Sequence, residues 1–161
     1  MINPKEQYIN KTLDLVLMKL TGFMNEFISN IHGFSACLLT EDGLIIAEGI
    51  NSGSKKNLSS EELAAITASM ISIAEQAVLH YKSSKTLSQF TIETSNLENP
   101  KEGGLNIFAF QIHPNVLLAY NYPSSIPKGL VSFELSTVIK NMQEIIFENE
   151  STIMRNIGSM I

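Results

Sequence analysis

Apolar residues at Ile9, Leu13, Val16, Leu17, Leu20, Met24, Phe27, Ile28 and Ile31 return every three or four positions, the spacing that lines one side of an α-helix. It predicts a helix over about residues 6–30, stopped by Gly33. Two short apolar runs, FSACLLT and LIIAEG, then flank EDG, where Asp42-Gly43 supplies the positive φ angles of a tight hairpin. After the polar stretch NSGSKKN, Ser59 and Glu62 stand as a capping box and open a long helix that runs to about residue 81. TLSQFTIET alternates, with Ser88, Phe90 and Ile92 on one face and Gln89, Thr91 and Glu93 on the other, predicting a half-buried strand from Thr86 to Thr94. Past the loop NLENPKEGG, the runs LNIFAFQI and VLLAYNY form two more strands around a turn at Pro114-Asn115. Leu130, Val131, Leu135, Val138, Ile139, Met142, Ile145 and Ile146 then mark a helix to about Glu148.

The order is α-β-β-α-β-β-β-α, and the short connections suit antiparallel pairing or a helix crossing one face, so the fold class is α+β. A length of 161 residues is that of one domain with its own core. That domain takes in residues 1–148, leaving a tail over 149–161. In the tail, Ile153, Met154, Ile157, Met160 and Ile161 fall at helical steps. They suit a short amphipathic helix docked on a partner or on its own domain, or else a frayed end.

The middle helix, ELAAITASMISIAEQAVLHY, has no charged side chain between Glu62 and Glu75. On a helical wheel Leu63, Ile66, Met70, Ile73, Ala74, Ala77 and Tyr81 form a stripe for the sheet. Ala64, Ala68, Ile71 and Leu79 form a second group beside it, with Glu75 among them, and Ala65, Ser69, Ser72, Gln76 and His80 fill the remaining arc. The sheet covers only the first stripe. Small residues at Ala64, Ala68 and Ser72, each four apart, let another helix come close, and the same helix of a second copy is the simplest occupant. The competing arrangement places the helix inside a monomer, between the sheet and the N-terminal helix or the tail. A membrane span is not expected: the weakly apolar run Leu63–Leu79 is broken by Glu75 and Gln76, and a bilayer asks for about 20 strongly apolar residues.

Charge and chemistry narrow the functional classes. A net charge of −5 without a basic cluster gives no footprint for nucleic acid. Cys37 is the only cysteine, which excludes an internal disulfide and fits a reducing cytoplasm, and MINPKEQYINKTLDLVL does not read as a signal peptide. The chain has Asp14 and Asp42 as its only aspartates, and His32, His80 and His113 share no metal-ligand spacing. Cys37 sits in an apolar strand, and no Gly-x-Ser-x-Gly elbow occurs. GINSGSKK, residues 49–56, imitates a phosphate-binding loop but lacks its second glycine and its magnesium-binding hydroxyl. No catalytic set, metal or cofactor is therefore expected, and the chain reads as a non-enzyme.

IHGFSACLLTEDGLIIAEG, followed by SSEELAAITASMISIAEQA and later by GLVSFELSTVIKNMQEII, resembles the Roadblock (dynein light chain roadblock) family over about residues 11–148. The resemblance implies a profilin-like sheet of five antiparallel strands in the order 2-1-5-4-3. It also implies a dimer whose middle helices lie antiparallel while the third strands pair across the two-fold, as a homodimer or with another Roadblock chain. The interface would then comprise Ala64, Ala68, Ile71, Ser72, Glu75 and Leu79 with Gln89, Thr91 and Glu93. Members of the family are similar in being non-catalytic platforms for small Ras-like GTPases, some of which tune GTP hydrolysis. Ser69, Gln76 and His80 are left over for the GTPase, and Arg155, the sole arginine, is the one residue that could act as an arginine finger. The rival reading is a PAS- or GAF-like sensor of a small molecule, which asks for convergent polar groups in a pocket; the nearly all-apolar strands lean toward the platform.

Overall fold

The computed structural model describes residues 3–51, 58–80 and 88–160 of the chain, without the side chains of residue 80 and residues 156–160. Helix α1 spans Pro4–Asn30, β1 Ser35–Thr40, β2 Ile45–Ile50, α2 Ser60–His80, β3 Gln89–Glu93, β4 Leu105–His113, β5 Val116–Pro123, α3 Lys128–Glu148 and α4 Glu150–Met160. A single turn of 3-10 helix at Pro100–Glu102 interrupts the loop before β4. The polar stretch over residues 52–57, the expected end of α2 at Tyr81 and the expected first residues of β3 at 86 and 87 lie outside the described residues.

The strands form one antiparallel sheet in the order β2-β1-β5-β4-β3, the order the resemblance implies. Two apolar layers sit on its faces. On one, Ala36, Leu38, Leu118, Tyr120 and Tyr122 of the sheet pack against Leu20, Met24, Phe27 and Ile28 of α1 and Val138, Met142 and Ile146 of α3. On the other, Cys37, Leu39, Leu117 and Ala119 pack against Leu63, Ala64 and Ile71 of α2. Strand alternation produces this division, since successive residues of β1 and β5 point to opposite faces. Because both faces are covered, β1 and β5 are buried along nearly their whole lengths, and their sequences are almost wholly apolar.

The terminal helices thus share the face opposite α2, and α1 does not cover the outside of α2. The tail forms α4 and docks on its own domain: Ile153 is buried in the same core as α1 and α3, with Met154 packed against it. His113 at the β4–β5 turn approaches Glu150 at the start of α4, Nε2 to Oε1 3.4 Å. The first helix stops differently from its expected pattern. The residue with positive φ is His32, at 51°, and Gly33 follows it, donating its N–H to the Ile28 carbonyl at 2.9 Å. The six-to-one bond closes the helix as a glycine in the left-handed position usually would.

Candidate functional site: the outer face of the middle helix

Ser59 opens α2 as its sequence suggests: the Oγ accepts from the Glu62 backbone N–H at 3.1 Å. Glu61 and Glu62 in the first turn complement the positive end of the helix dipole. From there Leu63, Ala64, Thr67 and Ile71 are buried. Thr67 is tolerated inside because its hydroxyl donates to the Leu63 carbonyl at 2.7 Å. Beneath them Cys37, Ala109 and Ala119 are small, so the helix axis lies close to the sheet, chiefly over β1, β2 and β5.

This burial corrects the helical wheel. The buried side is turned by roughly 80° from the expected stripe, toward Ala64 and Ile71, which face the chain's own sheet instead of an outside partner. Ile73, assigned to the sheet, is 60% exposed, and Ala77 is also exposed. Ala68 is small for a local reason. Gly43, at φ +88° in the β1–β2 turn, lies under it, and a Cβ built on that glycine would stand 3.1 Å from the Ala68 Cβ.

What faces outward is Ala65, Ser69, Ser72, Ile73, Gln76 and Leu79, the last 77% exposed, with Glu75 at the margin. The Ser69 hydroxyl donates to the Ala65 carbonyl at 2.8 Å, so the helix itself occupies that donor. The result is an exposed surface of small, uncharged and apolar side chains. Its edge toward the β1–β2 turn is acidic: partial burial first, then Glu75 and Asp42, raise the Glu41 carboxyl above its ordinary value.

β3 borders the sheet and, among the described residues, bonds only to β4. Phe90 and Ile92 pack on the α2 side and are half-buried, while Gln89, Thr91 and Glu93 are exposed. Thr91 and Glu93 face α3, and Glu93 pairs with Lys128 at the start of that helix. Among the described residues, the outer backbone edge of β3 and the outer side of α2 are therefore two unfilled surfaces.

The proposed GTPase residues do not gather. Ser69 and Gln76 are exposed on α2, and Arg155 is exposed on α4, which packs with α1 and α3 across the sheet. The side chain of His80 lies outside the described residues. Cys37 is fully buried; burial, then Glu48 and Glu61, push its thiol up to about 12, so it rests as a neutral thiol on the core side of α2.

No family model and no curated protein matches the chain. Solved structures do. An MglB structure with a tetrameric arrangement superposes with a TM-score of 0.68 at 15% identity, over 83% of this chain and 91% of that one. The gliding protein MglB from Thermus thermophilus gives 0.68 at 14% identity, over 83% and 92%. A Roadblock/LC7 domain from Streptomyces avermitilis gives 0.62 at 17% identity, over 79% and 97%. Strand order, α2 on one face with α1 and α3 on the other, and these superpositions agree: the chain has the Roadblock fold.

Proposed function

We propose that two copies of this chain associate through the outer sides of α2 and the open edges of β3, and that the dimer is a non-catalytic platform for a small Ras-like GTPase in the cytoplasm. The observation that carries the reading is the pairing of an exposed, nearly uncharged helix side with an unpaired strand edge. Ser72 and Ala65 are small enough for a second helix to approach at close range. Ile73 and Leu79 are large exposed side chains that such a contact would remove from water. Adding a twin β3 would continue the sheet and satisfy the edge N–H and C=O groups. A structural neighbour described as tetrameric supports self-assembly on this fold, and the GTPase role follows from the Roadblock resemblance.

The placement of Arg155 bears on mechanism. On α4 it lies across the sheet from Ser69 and Gln76, so within one chain it does not join them in a single GTPase contact. A platform that speeds hydrolysis would then act by ordering the GTPase's own residues. The test mixes the purified chain with small GTPases of the same organism and follows complex mass by light scattering together with GTP turnover. A dimer that binds one GTPase supports the reading, and faster turnover in the complex separates a regulator from a scaffold. A monomer at tens of micromolar that binds none of them would overturn it.

A further inference from the structure

Where β3 leads into β4, a cavity of about 430 Å³ opens at the end of the sheet, within the size range of small-molecule sites. Register sets its floor. Glu93 of β3 stands opposite Asn106 of β4, so both side chains point to the α3 face, and Lys128 at the start of α3 closes one side. The loop between the strands forms the rest, with Leu97 and Pro100 among its exposed residues.

That loop is fixed by its own bonds. Thr94 Oγ1 donates to the Leu105 carbonyl and accepts from the Leu105 N–H, both at 2.7 Å. Asn96 Oδ1 accepts from the Asn99 N–H at 2.9 Å, and Ser124 Oγ accepts from the Gly104 N–H at 2.7 Å. Gly104 admits no side chain, since a Cβ there would run into the Thr94 carbonyl. A guest therefore meets a preformed wall, three of whose polar side chains are occupied in building it.

The charges of the lining define the guest. Among its described residues Glu93 and Lys128 alone are charged, so the cavity is neutral overall yet presents one full charge of each sign side by side. They pair with each other. The pair uses one of three Lys128 ammonium protons and one of two Glu93 carboxylate oxygens, and the side chains remain 68% and 54% exposed. α3 adds to the positive side, for no side chain caps its N-terminus and no acidic residue stands in its first turn. Asn106, 4% exposed and beside Glu93, brings an amide that can both donate and accept. A net anion or cation would oppose one member of the pair, whereas a zwitterion opposes neither. Leu97, 88% exposed, leaves an apolar side chain in water for such a guest to cover.

We propose that this cavity binds a free α-amino acid with an apolar side chain, its carboxylate on Lys128, its ammonium on Glu93 and its side chain over Leu97 and Pro100. The site is complete within one chain and does not depend on the outer side of α2. The experiment titrates L-leucine into the 15N-labelled full chain at neutral pH and follows the amide resonances. Binding should shift Glu93, Leu97, Gly104, Asn106 and Lys128 and leave α2 unmoved. Isocaproate, which lacks the ammonium, and isoamylamine, which lacks the carboxylate, should each bind about threefold to tenfold more weakly. Lys128→Met should remove the advantage of leucine over isoamylamine, and Glu93→Gln its advantage over isocaproate. Both positions are exposed, and losing a surface ion pair costs the fold little. Shifts centred on α2, no saturable shift by about 10 mM leucine, analogues that match leucine on the unaltered chain, or an advantage of leucine that survives both substitutions would each overturn the site.

Discussion

Ala68 and Gly43 show how one contact can serve two readings. Four-residue spacing of small side chains on a helix fits a close helix partner, but here the partner of Ala68 is a turn of its own chain: Gly43 at φ +88°, with 3.1 Å to the Ala68 Cβ from any Cβ placed there. Gly43→Ala should therefore lose about 1–3 kcal/mol of stability, from a left-handed backbone plus a tight contact, and Ala68→Leu should lose about as much through overpacking. Urea midpoints of the two variants check this. Unchanged midpoints would mean that the turn does not rest on the helix. For the same reason Ala68→Glu is a poor probe of assembly, since it disturbs the turn before any partner arrives. The sequence held both small residues in plain view, but a wheel has no way to register a turn brought in from elsewhere in the chain.

Cys37 gives a residue-scale prediction in pH. Its folded thiol titrates at about 12 against an ordinary value of 9.0, so above pH 9 the unfolded chain releases a proton that the folded chain keeps. The unfolded state then binds fewer protons, and stability must fall as pH rises, by up to about 1.4 kcal/mol per pH unit for each such group. Tyr120, whose phenol is also raised by burial, adds to the loss from its ordinary value of 10.0 upward. Denaturation at pH 8, 9, 10 and 11 should show a stability that is level below about pH 9 and declines above it. Cys37→Ala should make the decline shallower without removing it. An identical slope in the variant would show that the thiol is not held neutral by the fold.

At the scale of elements, α4 is the clearest case of a pattern whose destination was not readable. Apolar spacing suited an amphipathic helix as well as a frayed end, and spacing is the same for a helix docked at home and one docked on a partner. The structure decides through Ile153, which is buried with α1 and α3, and through His113, whose Nε2 stands 3.4 Å from Glu150. Ile153→Ala should cost about 2–4 kcal/mol and expose α4 to rapid amide exchange, while Arg155→Ala, at an exposed position on the same helix, should leave both readouts unchanged. Equal effects of the two would contradict the docking. The strands were legible for the opposite reason: alternation and near-continuous apolar runs record burial on one face or on two.

For the whole molecule, the sheet divides two kinds of surface. By length and composition Ser60–Leu79 is apolar enough to cross a membrane, and only its Leu63, Thr67 and Ile71 side lies on the sheet. The excess apolar character is on the outside, at Ile73 and Leu79. Ser72 sits in that outer arc, exposed, and makes no contact on which the monomer depends. Ser72→Glu should therefore keep the wild-type unfolding free energy in urea to within about 0.5 kcal/mol while halving the mass seen by light scattering, because a carboxylate trapped in a close helix contact has no partner there. If GTPase binding needs the dimer, the same variant should lose its partner in the binding assay. Ser132→Trp, on the far side of the sheet, should retain both the mass and the partner. A Ser72→Glu chain that remained dimeric would move the interface off α2; one that became monomeric yet still bound the GTPase would keep the interface and place the platform within a single chain.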